Sequence, residues 1–251
     1  MLILKLGGAA ITDKTTPNTA RLGVLRRVAA VLARYPQPLI LIHGAGSFGH
    51  ILAKEYSLHL GYQYHEQKMA LVRLQQQLHE LNRLVVQVLV EAGLAAFPVH
   101  PVSMCIMEQN RLSEFFLEAV ERTLGMGLLP VLYGDCVWDR AQGFGILSGD
   151  QLAVYLANAL KAVRVAFGTD VDGVLNAAGE VIPRFDLHAL TQVGGAATTD
   201  VTGGMLGKLK EIAGIRADVQ TWIFNLQNDD HLERILSGEG GVGTLLVSSQ
   251  G

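Results

Sequence analysis

Three glycine-rich segments carry or adjoin cationic side chains: Lys5-Leu6-Gly7-Gly8-Ala9, His43-Gly44-Ala45-Gly46-Ser47-Phe48-Gly49-His50, and Thr202-Gly203-Gly204-Met205-Leu206-Gly207-Lys208. Glycine has no Cβ, so backbone N–H groups can close on phosphate oxygens, and a following helix adds a favourable dipole. One such loop suits a plain turn as well as a ligand. Three of them, two with a lysine, point to a site for several phosphate groups. The candidate cations are Lys5, Lys14 and Lys208. Phosphoryl transfer needs such charges around crowded oxygens, with donor and acceptor held in line. Lys5 ends an apolar run at the position where open α/β sheets bind ligands. Lys14 sits in a polar Thr-Asp-Lys-Thr-Thr loop, where a solvated lysine is the alternative.

His50 closes the second loop. Its imidazole can donate to an anionic oxygen, and its charge is tunable near neutral pH. That suits an acceptor that is itself a phosphate monoester. Such an acceptor has a second pKa near about 6, so it is largely dianionic and requires screening rather than a general base. Asp150, in Leu147-Ser148-Gly149-Asp150, either caps a helix or orients two lysines that would otherwise repel. Asp170 and Asp172 flank a turn, where they serve a nucleotide, a magnesium ion or an Asx turn.

The elements that must position these groups alternate between strand and helix. Leu2 to Leu6 and Leu39 to His43 read as buried strands. Between them Thr19 to Tyr35 carries helical spacing at Leu22, Leu25, Val28, Ala29 and Leu32, with Thr19 as N-cap and Pro36 and Pro38 as its end. This β-α-β opening predicts a parallel pair. Glu66 to Glu91 is a long helix with a stripe of Val72, Leu78, Leu81, Val85, Val88 and Leu89. Ala96 to Val102 reads as a strand, Glu114 to Gly125 as a helix stopped by glycine, Leu129 to Tyr133 as a strand, and Asp150 to Ala162 as a helix. The pattern restarts near Lys161: strand Val163 to Phe167, a hairpin around Asn176 to Gly179, helix Gly207 to Ala217, strand Thr221 to Asn225, helix Asp230 to Leu236 and strand Gly243 to Ser248. The class is therefore α/β.

Two other phosphate motifs compete. Gly44, Gly46 and Gly49 form G-x-G-x-x-G after a strand, the dinucleotide fingerprint, and Glu66 lies near the expected ribose-binding distance. That reading expects the motif after the first strand, and it leaves Lys5, Lys14, Gly207-Lys208 and the histidines at both ends of the loop without work. A Walker loop is excluded, because Lys208 is followed by Leu209 and position 202 is threonine.

Composition narrows the class further. The chain has 251 residues, 49% hydrophobic and 17% charged, with net charge −3 and mean hydropathy +0.29. This suits a sheet covered on both faces. There is no basic excess for nucleic acid. Cys105 and Cys136 are too few for a disulfide framework and read as reduced structural thiols. Leu84 to Val99 is broken by Gln87 and Glu91, so no membrane span is expected, and a cytoplasmic location is.

Taken together, the motifs resemble the amino acid kinase family, within it the branch whose acceptor is isopentenyl phosphate. The matching pieces are Lys5 through Lys14, His43 through His50, Tyr133-Gly134-Asp135, Ser148-Gly149-Asp150, Thr169 through Val174, and Asp200 through Lys208. They occur in family order along nearly the whole chain. Ala9 stands where many members carry serine, and Ala45 where many carry glycine; neither changes a charge. The resemblance implies an open αβα sandwich with a central, mostly parallel sheet. Residues 1–160 would form the acceptor lobe and 161–251 the nucleotide lobe, on one continuous sheet, in a chain that is commonly homodimeric. It implies that Lys5, Lys14, His50, Asp150 and Lys208 carry catalysis. Lys5, Gly7, Gly8, Ala9, Gly46, Asp170, Gly204 and Lys208 would bind ATP, which arrives with Mg²⁺. Ala45, Gly46, His50 and Gly149 would face the acceptor phosphate. Phosphonate, carboxylate and carbamate acceptors remain the alternatives within the family. Met69, Leu78, Met104 and Ile106 are candidates for an apolar tail pocket, weighed against an ordinary core role.

Overall fold

The computed structural model describes residues 1–35, 37–192 and 203–248. Pro36 and the segment Asp200-Val201-Thr202, both used above, lie outside these residues. The chain opens with β1 (Leu2–Leu6), a short α1 (Gly8–Ile11), α2 (Leu22–Ala33) and β2 (Leu39–His43). β1 and β2 pair in parallel, Leu2 opposite Leu39 and Leu6 opposite His43. Next come α3 (His50–Glu55), the long α4 (Gln67–Glu91), β3 (Ala96–Pro98), β4 (Cys105–Glu108), β5 (Arg111–Phe115) and α5 (Leu117–Gly125). They are followed by β6 (Leu129–Tyr133), β7 (Asp135–Asp139), β8 (Gly143–Leu147), α6 (Gly149–Ala159) and β9 (Arg164–Thr169). The last elements are β10 (Arg184–Asp186), α7 (Ala189–Gln192), α8 (Gly203–Ile212), β11 (Gln220–Asn225), α9 (His231–Ser237) and β12 (Thr244–Val247).

One eight-stranded sheet runs β10-β12-β11-β9-β1-β2-β6-β3. Its pairs are parallel except β11 with β12. A fully apolar strand in such a sheet feeds two cores, because alternate side chains point to opposite faces. Leu2, Leu4, Leu6, Leu39 and Leu41 pack with α2, α4 and α9 on one face. Ile3, Ile40, Ile42, Val165 and Phe167 pack with α5, α6 and α8 on the other. Lys5 shares the face of Ile3, so alternation alone aims its side chain at α6 and α8.

Several sequence expectations are corrected. Helix α2 is capped by Arg21 with no side-chain bond, while the Thr19 hydroxyl donates to the Pro17 carbonyl. The strand expected over Ala96–Val102 stops at Pro98, and residues Pro101–Ser103 form a 3₁₀ turn. Val72 is exposed, and Leu74 takes its place in the buried stripe of α4. Glu114 belongs to β5 rather than to a helix, so α5 begins three residues later, at Leu117. That strand is part of a second sheet, β5-β4-β7-β8, which the sequence reading did not contain.

Candidate active site

Strands β9, β1, β2 and β6 all end on one side of the sheet, and their following loops meet there. Gly7 N–H donates to the Gly168 carbonyl, Gly44 N–H to the Leu6 carbonyl, and Gly134 N–H to the His43 carbonyl. The first two glycine loops touch backbone to backbone. A Cβ on Gly8 would stand 2.4 Å from the Gly46 nitrogen, and one on Gly44 would stand 2.6 Å from the Gly8 nitrogen. Thr12 clasps them: its hydroxyl donates to the Gly8 carbonyl at 2.7 Å and accepts the Ser47 N–H at 3.0 Å. The N–H groups of Gly8, Ala9, Ala45 and Gly46 have no protein acceptor among the described residues. Inward amides without partners are the makings of an anion cradle.

The loops enclose a cavity of about 550 Å³. Its wall includes Lys5, Gly7, Gly8, Ala9, Lys14, Ala45, Gly46, His50, Gly149, Asp150, Asp170, Gly204 and Lys208. The residues that the resemblance assigns to catalysis, ATP and the acceptor phosphate are thus all placed on one surface. Lys5 and Lys208 converge on Asp150, Nζ to Oδ1 at 2.7 Å and Nζ to Oδ2 at 2.6 Å. The Lys5 side chain is 8% exposed, so an unpaired ammonium there would cost several kcal/mol of desolvation. Burial works to raise the Asp150 pKa, but the charges of Lys5 and Lys208 outweigh it and hold it down at about 2. The helix cap is Ser148, whose side chain accepts the Gln151 N–H, so Asp150 is free to bridge the lysines.

Lys14 stands apart from that pair. It is mostly exposed and bonds Asp170 at 2.5 Å, at the edge of the same cavity. Asp172 turns away and accepts from Asn225 and Asn228, which leaves it a turn residue. His50 begins α3 at the cavity wall, and its imidazole makes no hydrogen bond among the described residues. Desolvation first, and the Lys5 charge second, lower its pKa. Part of the wall is apolar, with Ala53, Leu74, Leu78, Cys136 and Ile146. Of the tail-pocket candidates only Leu78 lies there; Met69 is 59% exposed, and Met104 packs on the sheet's other core.

Besides the Thr12 clasp, sequence reasoning missed two supports. Asp135, buried beside the cavity, accepts from the Gln75 side chain and from the N–H groups of Val102 and Cys136. Burial raises its carboxyl to about 6 against those bonds. The β4–β5 hairpin grips the helices that carry Lys208 and Asp150: Arg111 pairs bidentately with Glu211 of α8, and Gln151 of α6 accepts the Leu112 N–H at 2.6 Å. The two thiols, Cys105 and Cys136, are free, buried and raised to about 12, first by burial and then by Asp135.

A cradle of unpaired amides, with two lysines bridged by an aspartate at the carboxyl ends of parallel strands, defines a phosphoryl-transfer site. The sequence profile of the amino acid kinase family matches residues 1–225. The isopentenyl phosphate kinase of Methanothermobacter thermautotrophicus is 34% identical over 98% of this chain and 99% of its own. That of Haloferax volcanii is 37% identical over 86% of this chain and 89% of its own. A solved isopentenyl phosphate kinase structure superposes with a TM-score of 0.87 at 30% identity, covering 98% of this chain and 100% of that one. The chain belongs to the amino acid kinase family, as a small-molecule kinase. The dinucleotide reading falls with this: Gly44 to Gly49 lead from the second strand into a 3₁₀ turn and the six-residue α3. No helix among the described residues is long and apolar enough to cross a membrane.

Proposed function

We propose that this kinase transfers the γ-phosphoryl group of ATP to isopentenyl phosphate, giving isopentenyl diphosphate and ADP. The observation that carries the reading is a cavity with two characters: its lining includes unpaired amides and His50, and also the apolar side chains of Leu74, Leu78 and Ile146. A charged head with a short hydrocarbon tail fits both, and the names of the relatives support that acceptor. In this assignment Ala45, Gly46, His50 and Gly149 hold the acceptor phosphate. Lys5, Gly7, Gly8, Ala9, Gly46 and Lys208 follow the ATP phosphates, Asp170 and Gly204 take the nucleotide side, and Lys14 adds charge once drawn from Asp170. Residues 1–160 then act as the acceptor lobe and 161–251 as the nucleotide lobe. A cytoplasmic homodimer completes the assignment.

The acceptor is a dianion at neutral pH, so no side chain has to remove a proton. The residues instead hold two anions together: Asp150 fixes the ammonium groups of Lys5 and Lys208, and the cradle amides hold the oxygens in line for direct attack. The donor set fits magnesium carried by the ATP phosphates. Asp150 is occupied by two lysines, which leaves Asp170 as the carboxylate at the nucleotide end. When bound, that ion screens phosphate charge.

The deciding assay offers Mg-ATP with isopentenyl phosphate, dimethylallyl phosphate, fosfomycin, acetylglutamate and carbamate. Turnover of another acceptor, with neither isoprenoid phosphate used, overturns the proposal. His50→Ala is expected to lower kcat/KM for the isoprenoid phosphate by about tenfold to a hundredfold, the loss of a charge-assisted hydrogen bond. ATP binding without acceptor should be unchanged by calorimetry. Equal losses on both substrates would remove His50 from the acceptor end.

A pH effect follows from Lys208. Burial first, and Lys5 next, push its ammonium down to about 8 despite Asp150. It is charged below that value and neutral above it. Accordingly kcat/KM for ATP, which reports the free enzyme, should fall toward tenfold per unit above about pH 8. The kcat profile should hold to higher pH, because bound phosphates favour the charged lysine. A kcat/KM profile flat through that range would contradict this.

A further inference from the structure

His43 has no part in the transfer as assigned, yet it is fully buried behind the second glycine loop. Its ring stacks on Tyr133, centroids 5.4 Å apart and planes 19° from parallel. Tyr133 in turn meets His100 Nδ1 through its hydroxyl at 2.8 Å. The two ring nitrogens of His43 each face an oxygen: Nδ1 is 3.1 Å from the Gly44 carbonyl, and Nε2 is 3.1 Å from Asn82 Oδ1.

A neutral imidazole has one N–H to give. Burial first, with the Lys5 charge in the same direction, lowers the His43 pKa to about 4, so the ring is neutral at physiological pH. The Gly44 carbonyl can only accept a hydrogen bond, whereas the Asn82 amide can present either end. The proton therefore sits on Nδ1, and Asn82 meets the Nε2 lone pair with its Nδ2–H after a half turn of the amide.

That bond has a consequence at the cavity. The backbone on either side is already pinned: Gly44 N–H is held by Leu6, and the His43 carbonyl by Gly134. The next peptide unit, from the Gly44 carbonyl to the Ala45 N–H, has no backbone partner at either end among the described residues. It follows a glycine, which permits the unit to rotate to conformations closed to other residues. A trans peptide points its C=O and N–H in opposite directions. Holding the Gly44 carbonyl inward thus turns the Ala45 N–H outward, and Ala45 lines the cavity beside Gly46 and His50.

We infer that His43 is a positioning residue: through its Nδ1–H bond to the Gly44 carbonyl it locks the Gly44–Ala45 peptide with the Ala45 N–H facing the acceptor phosphate. The inference rests on the acceptor assignment above, and its test separates the two. Asparagine can place its Nδ2–H where Nδ1–H stands, while glutamine reaches the Nε2 position and leaves Gly44 without a donor. His43→Gln is expected to raise the acceptor KM about tenfold or more, with ATP KM within about twofold. His43→Asn should stay within about threefold of wild type on both substrates. A residue that served packing alone would lower Tm in both variants without splitting the two KM values. Wild-type acceptor KM in His43→Gln, or equal KM in the two variants, overturns the inference.

The second measurement does not need the isoprenoid. In wild-type protein titrated with inorganic phosphate, the Ala45 amide proton should move downfield as it gains a charged acceptor. An Ala45 amide that stays in place while the Gly46 amide responds overturns the inference. If the wild type ignores isopentenyl phosphate, the acceptor assignment fails; an Ala45 amide response to inorganic phosphate that is kept in His43→Asn and lost in His43→Gln then upholds the role of His43, and one unchanged in His43→Gln overturns it.

Discussion

Asparagine in place of Asp150 is expected to lower turnover by about a hundredfold to a thousandfold, an effect of the size seen when electrostatic preorganisation is removed. The substitution is nearly isosteric, so packing of the first turn of α6 survives. What disappears is the single negative charge between two buried ammonium groups, Lys5 and Lys208. Breaking a buried ion pair from one side costs about 3–5 kcal/mol. The strain has an outlet, because Lys208 already titrates near about 8 and Asp150 is the charge that raises it. Without that charge the Lys208 pKa must fall further. The variant should therefore bind ATP better as pH is lowered below neutral, with the midpoint of its kcat/KM profile displaced to lower pH than wild type. Two measurements check this: the pH profile for ATP, and Tm at neutral pH. Wild-type turnover, or a midpoint that does not move, would mean that the lysines are placed by something other than Asp150.

The charges in this prediction were legible in the sequence because each adjoins a strong local signal. β1 and β2 are five-residue runs, four of the five apolar, that stop at glycine, and the structure begins and ends them at the same residues. Lys5 is then the last polar side chain before a turn, and strand alternation sets its direction. Asp150 was ambiguous for a physical reason: an aspartate near a helix start usually caps it, and only the Ser148 cap excludes that. The second sheet was missed because β5 reads Arg-Leu-Ser-Glu-Phe, with little apolar alternation, and its end merged with the pattern of α5. One signal was available. Gln109 and Asn110, which join β4 to β5, both take positive φ, and an asparagine there marks a tight hairpin. The Thr12 clasp and the Asp135 cluster had no such signal. Their partners lie 35 and 60 residues away, and proximity of that kind exists only once the sheet has formed.

That clasp underlies the other large effect. Gly46→Ala should lose about a hundredfold or more in kcat/KM for both substrates, because displacements near 1 Å at a reacting centre cost about that much. Gly46 has φ +51°, a left-handed conformation that costs an L side chain about 1–2 kcal/mol. A Cβ there would stand 2.1 Å from Thr12 Oγ1 and 2.7 Å from the Gly8 carbonyl oxygen. Neither neighbour can yield cheaply: the Thr12 hydroxyl is bonded to both loops, and the Gly8 carbonyl receives it. The loops must separate, and the amides of Gly8, Ala9 and Ala45 move with them. Overpacking of this kind adds about 1–3 kcal/mol of destabilisation. Thr12→Ala removes the nearest clashing atoms, so the double variant should regain part of the lost Tm. It should not regain activity, since the clasp itself is gone. Gly23→Ala supplies the control: a Cβ there meets nothing within 4 Å on an outer turn of α2, and alanine is the better helix former by about 1 kcal/mol. That variant should hold full activity with equal or higher Tm. If Gly46→Ala matched it on both measures, the interlocked loops would not be what aligns the two phosphates.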